Sequence, residues 1–222
     1  SKRDNLNGFL FALPWIIGFI IFSLMPLLAS LYYSFTEFNP VTTPKWVGLK
    51  NFEYLLKDPL VLKSLKNTLF MAFVSTPINL LIALLLASLL NSKFRGRGIA
   101  RTIFFMPSII PMIAATMVWI WMFDPTYGYI NRVLGYVGIN GPSWLVNPAY
   151  TKWAWVLMGT WCVGTTMLIC LAALQDVPRS YYESAEIDGA NGIHKFLKIT
   201  VPCIAPVLIY QAILNVINAF QY

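Results

Sequence analysis

Charge is scarce in this sequence. Five stretches contain no Asp, Glu, Lys, Arg or His at all: residues 5–36, 67–92, 102–123, 153–175 and 199–222. With 11% charged and 58% hydrophobic residues, the composition excludes an ordinary soluble domain. Each stretch reaches the roughly 20 residues with which an α-helix crosses a hydrocarbon core of about 30 Å. Barrel strands are excluded, because they are about half as long and alternate polar with apolar residues. The pattern predicts an all-α fold, a polytopic transmembrane helix bundle with spans near 9–36, 67–91, 102–123, 153–175 and 199–222 within one domain over 1–222. The first stretch is long and carries Pro14, Trp15 and Pro26, so it reads as a retained helix rather than a cleaved signal.

Other absences narrow the function. There is one histidine, His194, and with Glu183 or Asp188 it offers nothing like a catalytic set, so bond chemistry is not expected. The three cysteines, Cys162, Cys170 and Cys203, fall inside spans with no His or carboxylate at ligand spacing, and read as small packing residues rather than metal ligands. No GxxxxGK[ST] phosphate loop occurs, so ATP hydrolysis by that route is excluded for this chain. The spans also lack the ionisable residue that an ion-coupled carrier places within the bilayer. An ion-coupled secondary carrier or channel stays open as the alternative, and would need such a residue outside this sequence.

Acidic residues are outnumbered 9 to 16, giving a net charge of +7. Without a nucleic-acid-binding module, the excess reads as anchors beside anionic lipid. With the N-terminus inside, the inner segments hold nine positive residues (Lys2, Arg3, Lys93, Arg95, Arg97, Arg101, Arg179, Lys195, Lys198) against seven outside (Lys45, Lys50, Lys57, Lys63, Lys66, Arg132, Lys152). Density decides the orientation: KFRGRGIAR packs four positive charges into nine residues, whereas the outer lysines are diluted and mixed with Glu37, Glu53, Asp58 and Asp124. A cytoplasmic N-terminus is expected.

Residues 37–66 mix turn formers with WVGLKNFEYLL, whose tail suits a short interfacial helix, and the glycines of residues 124–152 break any long helix. Ordinary connections, or a lid or docking surface, fit both loops. Pro77, Pro107, Pro111 and Pro206 lie inside spans and predict kinks.

Between the last two spans, ESAEIDGANGIHKFLKITVP gathers Glu183, Glu186, Asp188, His194, Lys195 and Lys198. A charge costs roughly 2.5–3.5 kcal/mol at the centre of a membrane helix, so this segment lies in water or against another protein. Pro178 ends the preceding helix, Ser180 with Glu183 has the form of a capping box, and Gly189 and Gly192 break the helix it opens. Helix, sharp turn, helix is the expected shape. Glu183 as a mere cap and Asp188 as a mere turn also fit. In the last span, Gln211, Asn215, Asn218 and Tyr222 recur at steps of four, three and four, on one stripe. Amides there need protein or an aqueous cavity to face. Trp161 and Thr165 stand one turn apart on the span before. A polar lining for a solute and hydrogen bonding between helices both fit the stripe.

The charged segment resembles the EAA loop of ABC importer permeases, and its IDGA continuation is similar to the carbohydrate-uptake branch. Glu183, Ala185, Asp188, Gly189, Ala190, Phe196, Ile199 and Pro202 match; Ser184 replaces the usual Ala and Val201 the usual Leu. WVGLKNFEYLL, KFRGRGIARTIFFMPSIIP and NRVLGYVGINGPSWL resemble stretches of the same family in the same order, so the likeness covers nearly the whole chain. It points to the MalF-like or UgpA-like half of the permease pair.

The resemblance implies a permease subunit of a binding-protein-dependent importer for a carbohydrate or polyol, multi-pass in a prokaryotic inner membrane and itself without catalysis or cofactor. Its implied partners are a dimer of ATP-binding subunits, which hold ATP and Mg, a second homologous permease and an extracellular solute-binding protein. The loop at 178–197 would dock on the ATPase through Glu183, Ala185, Asp188, Gly189, Ala190 and Phe196, with Glu183 pairing a positive residue and Gly189 allowing the turn. The substrate path would include Trp161, Thr165, Gln211, Asn215, Asn218 and Tyr222, of which Asn215, Asn218 and Tyr222 match the sugar-lining region most closely. Such permeases rest closed to the outside, and those of this size carry six helices, so a sixth is expected to follow residue 222.

Overall fold

The computed structural model describes residues 2–92 and 94–221, with side chains from residue 7 onward. Lys93 and Tyr222, both singled out above, lie outside the described residues, and so do the side chains of Lys2 and Arg3. The chain divides into two compact units, residues 1–64 and 65–222.

The first unit begins with α1 (Lys2–Phe19), a π-turn (Ile20–Leu24) and α2 (Met25–Ser34), which together form the first apolar helix. A hairpin follows that the turn-forming composition did not reveal: β1 (Thr36–Asn39) pairs antiparallel with β2 (Thr42–Trp46), setting Glu37 opposite Lys45. The amide of Asn51 ties it down by donating to the carbonyls of Ser34 and Thr36, each at 2.9 Å. Asn51 belongs to α3 (Lys50–Lys57), the short helix expected in WVGLKNFEYLL.

The next helix starts in the last residues of the first unit and belongs to the second from Leu65 on: α4 (Pro59–Phe70), a π-turn (Met71–Ser75) and α5 (Thr76–Asn91) run as one helix over Pro59–Asn91. It starts eight residues before the expected span, so Lys63 and Lys66 are helical rather than in a loop. Then come α6 (Arg97–Phe105), a 3-10 turn (Met106–Ile109), α7 (Met112–Met122), α8 (Tyr129–Tyr136), α9 (Pro148–Trp161), α10 (Gly164–Gln175), α11 (Arg179–Ile187), α12 (Gly192–Lys195), a π-turn (Phe196–Thr200) and α13 (Val201–Ala219). Among the described residues three helices are long and apolar enough to cross a membrane, or up to five if each bent pair is one span.

The third span is kinked as its prolines predict, and the fourth carries a bend that the sequence does not predict. Arg97–Ile109 meets Met112–Met122 at 98°, and Pro148–Trp161 meets Gly164–Gln175 at 50°. Pro111 accounts for the first, since it stands as N-cap of α7 in extended geometry and restarts the helix. No proline marks the second.

The three π-turns share one setting, although Pro14 and Pro206 lie within helices that keep the α form. Each ends two residues before a proline, Pro26, Pro77 or Pro202. A helical proline has no N–H for the carbonyl four residues back and its ring crowds that carbonyl. Here that carbonyl belongs to the central residue of the π-turn, Phe22, Phe73 or Lys198. Widening the turn relieves the clash, and the residue before each proline donates five residues back: Met25 to Ile20, Thr76 to Met71, Val201 to Phe196.

The core forms where α5, α10 and α13 meet. Ala83, Ala87, Met167 and Cys170 are fully buried, flanked by Leu84, Leu90, Leu171, Leu174 and Ile204. Small residues let α5 and α10 approach, and in lipid that close fit rather than a hydrophobic drive holds helices together. Cys170 is the packing residue expected; Cys162 and Cys203 are exposed in the isolated chain. A second cluster joins Trp119, Phe123 and Ala154 with Trp144 and Trp161. Asn131 on α8 orders the loop beside it, donating to the carbonyls of Pro125 and Pro142 and accepting from the Trp144 indole at 2.7 Å. Asp124 closes the adjoining turn by accepting from the backbone N–H groups of Tyr127 and Thr126, which hold its carboxyl below the usual range.

The two breaks touch. Ser108, in the 3-10 turn, donates to the carbonyl of Cys162 at 3.3 Å. A Cβ on Gly164 would stand 2.5 Å from Ser108 Oγ, 2.8 Å from the Phe104 carbonyl oxygen and 2.9 Å from Phe105 Cα. Two of those atoms are backbone and cannot rotate aside. Gly164→Ala is expected to lower the detergent melting temperature, overpacking of this kind costing about 1–3 kcal/mol. Gly98→Ala, where nothing stands within 4 Å of the added methyl, serves as its neutral control.

Candidate functional site

The charged segment folds as a helical hairpin, α11, a turn and α12, projecting where α5 and α10 end. Its start differs from expectation. Pro178, in extended geometry, takes the N-cap position and no side chain caps the helix, so Ser180 lies inside the first turn and the capping box is not made. The consequence falls on Glu183. It is exposed, and among the described residues its carboxylate has no hydrogen bond or ion pair.

The tip is closed by backbone alone. Asp188 is the C-cap of α11 and Gly189 follows at φ +74°, the left-handed region that favours glycine. The N–H of Ala190 reaches the Ala185 carbonyl at 2.8 Å and that of Gly189 the Glu186 carbonyl at 3.0 Å. This is a Schellman closure, which satisfies carbonyls the helix end would otherwise leave open. Asn191 then caps α12, its side-chain oxygen accepting from the His194 N–H at 2.8 Å. A tip fixed at both ends is rigid, and it carries bare apolar surface: Ile187 is 88% and Ile193 71% exposed.

Five of the six expected docking residues, Glu183, Ala185, Asp188, Gly189 and Ala190, therefore sit on or beside this tip. Phe196 does not. It is half-buried against the core cluster of α5, α10 and α13, which makes it an anchor of the hairpin on the bundle. Sequence reasoning also missed Tyr182 and the Glu186–Lys195 pair. Their side chains bridge the two arms, with Lys195 Nζ 2.7 Å from Glu186 Oε1 and the Tyr182 hydroxyl 2.9 Å from Thr200 Oγ1.

The polar stripe of α13 runs from inside to outside. Gln211 is 4% exposed, Asn215 is half-buried and Asn218 is exposed. The helix packs against α5, α10 and the π-turn Met71–Ser75. Buried within the unit, Gln211 Nε2 and Asn79 Oδ1 on α5 have no partner among the described residues, although Asn79 donates to Ser75 Oγ at 3.3 Å. Unpaired amide atoms at this depth are costly and leave hydrogen-bonding capacity where α5 and α13 run. Trp161 and Thr165 do not share a continuous helix face. Trp161 ends α9 with its ring edge-on to Trp119, and Thr165 lies exposed in the first turn of α10, beyond the break.

Among the described residues no group of His, Cys, Asp and Glu side chains could hold a metal ion.

Comparison with known proteins places this geometry. Residues 79–222 match the family described as the inner membrane component of binding-protein-dependent transport systems. The chain is 40% identical to the probable ABC transporter permease protein YesP of Bacillus subtilis, with 99% of this chain and 72% of that protein covered. It is 32% identical to the trehalose/maltose transport system permease protein MalF of Thermococcus litoralis, covering 99% and 75% respectively. In solved structures it is similar to a bacterial alginate ABC transporter in complex with an alginate pentasaccharide-bound periplasmic protein, at TM-score 0.79 and 26% identity over 93% of this chain and 69% of that one.

Proposed function

Because the chain belongs to the family of inner membrane components of binding-protein-dependent transport systems, and is a multi-pass permease subunit of an ABC importer, we propose that its substrate is a carbohydrate or polyol. The trehalose/maltose permease and the alginate transporter among its relatives support a saccharide. Amides at Gln211, Asn215 and Asn218 suit hydroxyl groups, which both donate and accept. Tyr222 belongs to the same reading from its place in the sequence, with Trp161 and Thr165 on the neighbouring helices.

The observation that carries the mechanism is the rigid tip with an unspent carboxylate. In this reading the hairpin faces the cytoplasm, the N-terminus lies on the same side, and Glu183 pairs with a cation in a groove of an ATP-binding subunit. Ile187 and Ile193 fill apolar contacts beside that pair, since charge-assisted pairing gains strength once water is excluded. ATP and Mg belong to that partner, a second permease supplies the other half of the path, and an extracellular binding protein delivers the solute. A stiff projecting helix transmits domain closure as rigid-body movement, by which the path alternates between its two openings.

Gentle purification from native membranes tests the assembly. An ATP-binding subunit and a homologous permease are expected to accompany the chain, with uptake that follows ATP. A chain that purifies alone and transports along an ion gradient overturns the reading.

A further inference from the structure

Along the chain, the hairpin is joined to the polar stripe of α13 through one irregular turn. Between them lies the π-turn Phe196–Thr200, where the helical ladder is widened. Tyr182, Phe196 and Ile199 pack on the bundle core at this level, beside a shallow cleft of about 320 Å3 lined by Ser88, Asn91, Tyr182, Lys195, Phe196 and Thr200. Phe196 and Ile199 hold one face of the turn, and the face toward the cleft needs a hold of its own if the turn is to push rather than bend.

Side chains from the other arm brace that joint. Thr200 is buried, and its hydroxyl donates to the Lys195 carbonyl at 3.4 Å, spanning the whole turn. The Tyr182 hydroxyl stands 2.9 Å from Thr200 Oγ1, a hydrogen bond in which either hydroxyl can donate. Tyr182 thereby ties α11 to the first residue before α13, and the Lys195–Glu186 pair ties α11 to the start of the same turn. The ion pair alone would be weak, since Glu186 is 64% exposed. Together the two links hold both ends of the π-turn to one helix.

The geometry points to Tyr182, with Thr200, as positioning residues that lock the π-turn, so that movement of the hairpin tip is delivered to the Gln211–Asn218 stripe instead of being absorbed at the joint. This rests on the coupling reading proposed above and adds to it the route by which coupling reaches α13.

The test uses the complete transporter in lipid nanodiscs, with Cys162, Cys170 and Cys203 replaced and a single reporter introduced as Asn218→Cys. The probe is MgATP with vanadate, and the readout is the rate of labelling by a water-soluble maleimide. With the hairpin intact, trapping is expected to change that rate at least about threefold. Tyr182→Phe and Thr200→Val, which keep shape and lose the hydroxyl, are expected to abolish most of the change while the ATPase stays bound and hydrolyses ATP. Thr200→Ser retains it. Glu186→Lys and Lys195→Glu each reduce the response and restore it when combined.

A full response in both Tyr182→Phe and Thr200→Val overturns the brace alone, as does loss of the ATPase from Tyr182→Phe, which would make Tyr182 a docking residue. Absence of any response with the intact hairpin overturns the coupling reading and the brace with it.

Discussion

Glu183→Lys is expected to strip the ATP-binding subunit from the purified transporter and to abolish uptake, while the protein still inserts and survives detergent extraction. The separation follows from the site. Among the described residues Glu183 has no partner within its own chain, so reversing its charge breaks nothing in the fold. Across an interface the change replaces an attractive pair by a repulsive one, at a cost of several kcal/mol. About 4 kcal/mol corresponds to roughly a thousandfold in affinity. Glu183→Gln, which keeps the shape without the charge, should weaken association by less. Pull-down of the ATPase with the tagged permease measures both, and undiminished association in Glu183→Lys would remove Glu183 from the interface.

Asn215→Leu should do the opposite: the ATPase remains bound and uptake falls. Leucine approximates the size of the amide and removes its hydrogen bonds. A hydrogen bond lost from a site that must desolvate hydroxyls costs about 1–3 kcal/mol, or roughly 5- to 150-fold in transport. Asn215 is the informative position because it is half-buried, between the enclosed Gln211 and the exposed Asn218. Solute uptake and ATPase association measured on the same preparation separate the two roles of α13. Loss of the second permease from the variant would instead assign Asn215 to contact between the halves.

The spans were legible because the bilayer imposes a length and a polarity that any sequence must meet. The absence of charge over residues 67–92 and 199–222 sufficed to place two of them. Helix breaks were legible only where a residue type enforces one. Pro111 announced the 98° bend, whereas the 50° bend at Cys162–Val163 has no proline to announce it, and the Cys162 carbonyl there accepts from Ser108, 54 positions away. Nothing in the sequence sets Gly164 apart, and its need to be glycine comes from Phe104 and Phe105 packed against it.

The hairpin divides the same way. Its turn followed from Gly189, whose left-handed backbone other residues resist. Its start was misjudged because Ser180 and Glu183 satisfy a local rule that Pro178 pre-empts. Tyr182 was invisible, since its partner Thr200 lies 18 residues on, across a fold. Phe196 fitted a docking motif and turned out to face the core.

What the sequence determined by itself was the solvent and the lengths: which segments sit in hydrocarbon, which must stay wet, and where a glycine or proline forces the backbone. The tertiary structure alone decided which helices touch and which side chain spans which joint. Spans apolar on every side carry no amphipathic pattern to name their inner face. Only the close fit of small residues, and the polar atoms left to find one another, select the neighbours.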